Sequence, residues 1–115
     1  MPFNRGDVVL VLFPNSNLTT AKRRPALVVM ADQLNTGIPQ TIVAMITSNL
    51  ARAGHPSRVQ FSQQSAAGQQ MGLLSDSVAM TDNLATVRES EIDRVIGHCP
   101  DMDAISAALR RTFGV

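Results

Sequence analysis

The sequence predicts a mainly β domain, a small antiparallel barrel with one C-terminal α-helix. Short apolar runs rich in β-branched residues recur along the chain. Polar segments rich in Gly, Pro, Ser and Asn separate these runs at intervals of about ten residues. The tail alone has the three- and four-residue apolar spacing of an amphipathic helix. Five or six short strands with regular turns and one terminal helix are typical of a small barrel.

Four strands are predicted in the first half of the chain, over residues 7–13, 24–30, 41–47 and 57–61. The first three are apolar runs, and the fourth alternates polar and apolar residues as a half-buried strand does. Pro14 ends the first run. Pro25 lies at the start of the second, where the missing proline N–H fits a strand beginning or an edge. The polar segments between the runs predict loops over 14–22, 31–40 and 48–56.

The second half of the chain predicts fewer strands and two less regular segments. Residues 62–70 contain four of the seven glutamines, which is typical of a surface connection. One long or bent strand is predicted over 72–87 and a short strand over 94–97. Ser90 is suited to cap a single helical turn between them, because the carboxylate of Asp93 follows three residues later.

The tail predicts a helix with both ends marked. Asp101 follows Pro100 and can cap the first turn, and Gly114 follows the last turn. An acidic residue near the start and two arginines near the end suit the helix dipole. The apolar stripe consists of Met102, Ile105, Leu109 and Phe113.

Length and composition limit the classes of protein that the chain can belong to. With 115 residues and 12.4 kDa, residues 1–115 form one domain. Hydrophobic residues make up 44% and charged residues 17%, which argues against disorder. No apolar run reaches membrane-spanning length and no secretory signal is recognisable, so we expect a cytoplasmic protein with no membrane partner. The single cysteine, Cys99, excludes an internal disulfide and a cysteine-based zinc site.

The usual catalytic and metal-binding patterns do not occur in the sequence. Neither histidine has a Cys, Asp or Glu partner at ligand spacing, and single carboxylates such as Asp7 and Asp32 are scattered along the chain. Glycine-rich phosphate loops are also missing. Cys99 is expected to be a small buried apolar residue rather than a nucleophile. We therefore expect no metal site and no cofactor.

Two short polar elements remain as candidates for chemistry. Nine of the ten basic residues are Arg, and Lys22, Arg23 and Arg24 stand together before Pro25. The second element, Thr47-Ser48-Asn49, follows the third predicted strand. An Arg with a nearby hydroxyl can hold a phosphate and stabilise charge that develops on it. The residues alone leave the alternative open, namely a solvated basic turn and an ordinary polar loop. With four Phe, no Trp and no Tyr, a base-stacking platform is not expected.

An ordered series of motifs resembles the MazF/PemK family of toxin endoribonucleases. Each motif is common by itself, but the series covers nearly the whole chain in the right order and spacing. It consists of Arg5-Gly6-Asp7-Val8-Val9, Phe13-Pro14, and the segments 22–29, 43–48, 72–79, 82–87 and 95–97. The resemblance implies an SH3-like barrel of the CcdB/MazF type and a homodimer. It also implies ribosome-independent cleavage of single-stranded mRNA, and a cognate antitoxin whose flexible segment covers the RNA groove.

The resemblance also implies particular site residues. The family's catalytic arginine, directly before a proline, falls on Arg24, and its catalytic threonine falls on Thr47. Cleavage without a metal would use the substrate 2′-OH and leave a 2′,3′-cyclic phosphate and a 5′-OH. The loop after the first strand is short and lacks the Gly-Gly of many relatives. Expected RNA-contacting residues are Asn15, Ser16, Asn17, Lys22, Arg23, Ser48, Asn49, Ser75 and Asp76.

Two other functions remain open on the same barrel. A gyrase poison of the CcdB type carries a C-terminal Trp-Gly-Ile, whereas this chain ends Phe113-Gly114-Val115 and has no Trp. The second alternative is a catalytically silent SH3-like binding module, because a fold does not by itself establish an activity.

Overall fold

The computed structural model describes residues 3–14 and 21–115, which form six strands and two α-helices. The strands are β1 (Asp7–Pro14), β2 (Ala21–Val28), β3 (Gln40–Thr47), β4 (Arg58–Phe61), β5 (Ser77–Arg88) and β6 (Ile92–His98). The helices are α1 (Ala66–Met71) and α2 (Met102–Phe113). Two single 3₁₀ turns cover Leu50–Arg52 and Glu89–Glu91. The prediction of a mainly β fold with a C-terminal helix is confirmed.

All strand pairs of the sheet are antiparallel, and the strand order is β4-β5-β3-β2-β1-β6. The 12-residue strand β5 pairs with β3 on one side and with β4 on the other. Its pairing with β3 shifts register between Ala44 and Met45, and a bulge of this kind bends a strand. Among the described residues the edge strands β4 and β6 are not hydrogen-bonded to each other, so the barrel is open along this seam.

Both faces of the central strands are buried, which explains why β1 reads as a continuous apolar run rather than an alternating one. Val8 and Leu27 belong to one apolar cluster, which also contains Met71 of α1 and Ile105 of α2. Their neighbours Val9 and Val28 belong to a second cluster, on the other face of the sheet. Cys99 is 1% exposed in the first cluster, as expected for a small apolar residue.

Helix α2 covers β4 and β5 and has the predicted ends. Asp101 Oδ1 accepts the N–H of Ala104 at 3.2 Å, and Gly114 ends the helix in the left-handed conformation with φ of 70°. The predicted stripe is wrong at one position, because Phe113 in the last turn is 61% exposed. Neither described helix is long and apolar enough to cross a membrane.

The prediction for residues 62–70 is wrong, because the segment runs into helix α1. Ser65 Oγ caps this helix by accepting the N–H of Gly68 at 3.0 Å, and Gly68 and Met71 are buried. Gly72 then ends the helix with φ of 72°. The predicted long strand over 72–87 therefore starts only at Ser77. The sequence gives only a weak signal for α1, because a helix of six residues has too few apolar positions to show a helical period.

Smaller differences concern element boundaries. Strand β2 begins three residues before the predicted start and ends two residues before the predicted end. The turn near Ser90 is not capped by Ser90, because the side chain of Glu91 accepts the N–H of Arg88 at 2.9 Å. Strand β6 starts at Ile92 rather than residue 94, since Ile92 is buried in the second cluster.

Candidate active site

A cleft of about 720 Å³ opens where β2 and β3 separate. Its walls come from β2, the end of β3, the 3₁₀ turn Leu50–Arg52 and the segment after Gly72. Most of the residues that the sequence singled out lie together in this lining. They are Lys22, Arg23, Arg24, Thr47, Ser48, Asn49 and Ser75.

Arg24 and Thr47 both line the cleft just past the end of the β2–β3 ladder. The last paired residues of the two strands are Ala26 and Met45, and continuing this antiparallel register by two residues places Arg24 opposite Thr47. Pro25, which precedes Ala26 in β2, has no N–H to donate to β3. In the part of the chain that the structure describes, residues 21–25 of β2 pair with β1 and not with β3. The strands separate at this point, and both candidate catalytic side chains line the gap between them.

Thr47 is half-buried, and its hydroxyl has a defined partner. The backbone N–H of Asn49 donates to Thr47 Oγ1 at 3.1 Å. Asn49 also caps the following 3₁₀ turn, since its side-chain oxygen accepts the N–H of Ala51 at 3.1 Å. A hydroxyl that accepts a backbone N–H still has its own proton to donate. Thr47 can therefore donate a hydrogen bond into the cleft.

The cleft has a cationic lining. Lys22, Arg24 and Arg52 line it, and among the described residues none of the three has a carboxylate within ion-pairing distance. Arg23 is different, because its Nε lies 3.1 Å from the Oδ2 atom of Asp93 on β6. No Asp or Glu of the described chain lines the cleft. The lining thus suits a polyanion or an acidic segment.

An ion pair lies beside the cleft and reaches its 3₁₀ turn. Nη2 of Arg58 on β4 lies 2.8 Å from the Oδ2 atom of Asp82 on β5, and Arg58 Nε donates to Oδ1 at 3.3 Å. Arg58 Nη1 donates to the carbonyl oxygen of Arg52 at 3.2 Å. The hydrogen bonds from Arg58 are the main reason that the pKa of Asp82 is lowered from its ordinary value.

Four expected RNA-contacting residues are not seen in the cleft. Asn15, Ser16 and Asn17 lie outside the described residues. Asp76 is described, but it does not line the cleft, and its Oδ1 accepts the N–H of Gln63 at 2.8 Å. Asp76 therefore binds the backbone of the segment that leads into α1.

The remaining reactive side chains are engaged elsewhere. Burial raises the pKa of the Cys99 thiol, which makes it a poor nucleophile. His98 Nδ1 lies 3.3 Å from Asp7 Oδ1, and His55 Nδ1 lies 2.6 Å from the hydroxyl oxygen of Ser57. Over residues 3–14 and 21–115, no three His, Cys, Asp or Glu side chains form a group that could hold a metal ion.

Three polar residues in the lining were missed in the sequence, namely Arg52, Ser77 and Asn83. A weak signal existed for two of them. Asn49 is a typical cap residue, which places Arg52 at the end of a short turn directly after the Thr-Ser element. Asn83 interrupts an otherwise strand-like run, and Asn is depleted in strands.

Comparisons with known proteins identify the family of the chain. Residues 4–113 match the family described as the PemK-like, MazF-like toxin of type II toxin-antitoxin systems. The chain is 32% identical over 105 residues to endoribonuclease MazF6 of Mycobacterium tuberculosis, covering 89% of this chain and 88% of that protein. It is 30% identical over 113 residues to endoribonuclease EndoA of Bacillus subtilis, covering 96% and 93%.

The fold is also found among solved structures. A mycobacterial endoribonuclease in complex with its cognate antitoxin superimposes with a TM-score of 0.72 at 21% identity, covering 98% of this chain and 96% of that one. The family match over nearly the whole length decides the assignment. The chain belongs to the PemK/MazF family of toxins of type II toxin-antitoxin systems.

Proposed function

We propose that this toxin is a ribosome-independent endoribonuclease that cleaves single-stranded mRNA in the cleft between β2 and β3. The observation that carries the proposal is the joint placement of Arg24 and Thr47 in one cationic cleft. Curated relatives of 30% identity or more are endoribonucleases by name, which supports the same activity here.

The proposed reaction uses the 2′-OH of the substrate as nucleophile. Its oxygen bonds to the adjacent phosphorus while the bond from phosphorus to the 5′ oxygen breaks. The 2′-OH loses its proton and the leaving 5′ oxygen gains one, so the products are a 2′,3′-cyclic phosphate and a 5′-OH. The protein must hold the phosphate in line and stabilise the charge that builds up on its oxygens.

The residues of the cleft suit these two tasks. A guanidinium is a poor base and a good donor to phosphate oxygens, so Arg24 suits charge stabilisation. The Thr47 hydroxyl can donate a hydrogen bond to a phosphate oxygen, because its oxygen accepts the Asn49 N–H and its own hydrogen is left to donate. Lys22 and Arg52 in the lining would hold neighbouring phosphates of the strand.

The activity is tested with a long, weakly structured RNA and a DNA of the same sequence. We expect the purified chain to cleave the RNA at discrete sites without ribosomes and to leave the DNA intact. A folded chain that binds RNA without cleaving it would be a silent binding module. A chain that cleaves no RNA but blocks DNA gyrase would be a poison of the CcdB type.

We further propose that the active protein is a homodimer. Leu74, which lines the cleft, is 98% exposed, and a two-fold partner packed on this side of the molecule would cover it. A two-fold interface would present two equivalent Arg24 sites. Sedimentation equilibrium at micromolar concentration should give about twice 12.4 kDa. An active protein that stays monomeric would contradict the pairing.

We also propose that an acidic, flexible segment of a cognate antitoxin occupies the same cleft. The cationic lining without carboxylates supports this, and the mycobacterial relative was solved with its antitoxin bound. Binding of the segment should weaken as salt rises and should compete with RNA. An antitoxin that binds together with RNA and leaves cleavage unchanged would refute a shared cleft.

A further inference from the structure

The guanidinium of Arg58 joins two segments that flank the cleft, although Arg58 does not itself line it. Two of its donors reach the carboxylate of Asp82, at 2.8 and 3.3 Å. Asp82 precedes Asn83, which lines the cleft from β5. The third donor reaches the carbonyl oxygen of Arg52 at 3.2 Å, at the end of the 3₁₀ turn. Arg58 thus connects β5 to the turn.

The 3₁₀ turn has no buried side chain to anchor it. None of its three residues, Leu50 to Arg52, is buried, so apolar packing does not fix its position. Besides the bond from Arg58, the backbone hydrogen bonds of the turn among the described residues are internal, from Arg52 N–H to the Asn49 carbonyl and from Ala53 N–H to the Leu50 carbonyl, each at 3.1 Å. In the described residues, the bond from Arg58 links the turn to β4 in addition to the contacts that the turn makes with β5.

The 3₁₀ turn is linked to the Thr47 hydroxyl through Asn49. Asn49 caps the turn with its side chain and donates its N–H to Thr47 Oγ1. A shift of the turn would move the Asn49 N–H and release the hydroxyl. It would also move Arg52, whose side chain lines the cleft. One hydrogen-bonded path thus runs from Asp82 through Arg58 and the turn to Thr47.

The geometry of the pair suits a fixed connection. The Arg58 side chain is only 22% exposed, and a planar guanidinium can bind a carboxylate and a carbonyl at once. A lysine ammonium at this position would be a point charge that lacks the fork. Because the pKa of Asp82 is lowered, its carboxylate stays ionised at neutral pH and the pair persists.

We propose that Arg58, held by Asp82, is a positioning residue that keeps the Asn49–Arg52 turn, and through it the Thr47 hydroxyl, in place for RNA cleavage. The inference rests on the proposed endoribonuclease function and adds two residues outside the cleft to its machinery. Neither of them touches the substrate in this account.

The test is the variant Arg58→Lys, which keeps the charge and removes the fork. At saturating RNA we expect the cleavage rate to fall by about tenfold to a hundredfold, as expected for a misplaced catalytic group. The KM for RNA should rise by a smaller factor than the rate falls, because Arg52 moves with the turn while Lys22 and Arg24 on β2 keep their places in the lining. A residue that merely stabilised the fold would not separate kcat from KM in this way.

A matched control uses another arginine–carboxylate pair that is more exposed and outside the cleft. Arg88 Nε lies 3.7 Å from Glu91 Oε1 at the far end of β5, and Arg88→Lys should cleave at the wild-type rate. Losses from Arg58→Lys and Asp82→Asn should not add, because both changes break the same connection. Additive losses would show that the two residues act separately and would overturn the proposal.

Amide hydrogen exchange tests the positioning directly and without RNA. In Arg58→Lys, the amides of Ala51 and Ala53 should exchange about tenfold faster, while core amides such as that of Ala44 keep their rates. Unchanged exchange in the turn would overturn the proposal. If Arg58→Lys does not fold, Asp82→Asn carries the same two measurements with the same expected directions.

The outcomes separate this inference from the proposed function. A folded wild-type protein that cleaves no RNA overturns the proposed function, and the positioning role falls with it. A wild-type protein that cleaves RNA, together with an Arg58→Lys variant that cleaves equally fast, overturns only the positioning role.

Discussion

Arg24 of β2 and Thr47 of β3 each lie two residues beyond Ala26–Met45, the last pair that the two strands form. The ladder stops at Ala26 and Met45 because Pro25, the residue before Ala26 in β2, lacks an N–H. The end of this ladder is where the cleft opens. One proline thus ends the strand pairing and at the same time sets a charged side chain and a hydroxyl on either side of the gap.

Thr47→Val should reduce RNA cleavage less than the loss of Arg24 does. The substitution removes one neutral hydrogen bond and keeps the shape of the side chain, so we expect a loss of about tenfold in rate. Thr47→Ser, which keeps the hydroxyl, should retain most of the activity. The measurement is single-turnover cleavage of one RNA by the three proteins. Equal rates for Thr47→Val and the wild type would remove the hydroxyl from the mechanism.

Cleavage should not depend on a divalent metal and should depend on one 2′-OH. We expect full activity in excess EDTA, because the described side chains form no cluster of metal ligands and Arg24 can stabilise the phosphate charge. A single 2′-deoxy nucleotide on the 5′ side of the scissile phosphate should stop cleavage there and leave binding largely intact.

Mass spectrometry of the upstream RNA product checks the same chemistry, since this product should end in a cyclic phosphate. Cleavage of the 2′-deoxy substrate, or rescue of an EDTA-inactivated enzyme by Mg²⁺, would place the protein among metal-dependent nucleases. Arg24 would then be a phosphate anchor only.

The Arg58–Asp82 pair should make stability depend on acid pH. Arg58 lowers the pKa of Asp82 in the folded protein below its ordinary value of 3.8. The stabilisation by the pair is therefore complete above pH 3.8 and is lost as the pH falls through the folded-state pKa. Because both side chains are partly exposed, the contribution at pH 7 is at most about 1 kcal/mol.

Urea unfolding of wild type and Asp82→Asn at several pH values measures this contribution. At pH 7 the wild type should have the larger free energy of unfolding. The difference should shrink as the pH falls below about 3.8 and vanish once Asp82 is protonated. A difference that does not change with pH would show that the charge of Asp82 is irrelevant to stability.

Gly68→Ala should destabilise the protein although alanine is the better helix former. A Cβ at position 68 would lie 2.0 Å from the carbonyl oxygen of Ser62, which is backbone and cannot move freely. We expect a loss of about 1–3 kcal/mol, typical of overpacking, against a gain of about 1 kcal/mol in helix propensity. Chemical denaturation measures the balance, with Gln70→Ala on the exposed side as the control. A more stable Gly68→Ala variant would contradict the close approach of α1 to Ser62.

The sequence predicts the central sheet well because strand signals are local. Runs of β-branched residues between turn residues produce β1, β3 and β5 from their own composition, and Asp101 and Gly114 mark the ends of α2. Helix α1 escapes prediction because only Gly68 and Met71 of its six residues are buried. Its burial depends on the carbonyl of Ser62 and on β6, which no local pattern encodes.

The candidate site, too, contains residues that local sequence patterns predict and residues that only the fold reveals. Arg24 and Thr47 follow from motifs next to strand ends, and their residue types already suggest phosphate chemistry. Arg58 and Asp82 are 24 residues apart and sit in unremarkable strand patterns, so only the pairing of β4 with β5 reveals their connection. The motif predicts Asp76 near the groove, but its carboxylate accepts the backbone N–H of Gln63 instead.

The most direct test of the account is the single-turnover rate of RNA cleavage by Arg24→Ala, with Arg88→Ala as a control that removes a strand arginine outside the cleft. Arg24 is exposed, so the Tm should shift by no more than about 3 °C. We predict that Arg24→Ala cleaves about 10²–10³-fold more slowly than the wild type, because it lacks the charge that stabilises the transition state, whereas Arg88→Ala cleaves normally. A folded Arg24→Ala protein that cleaves RNA at the wild-type rate would contradict the assignment of the active site to this cleft.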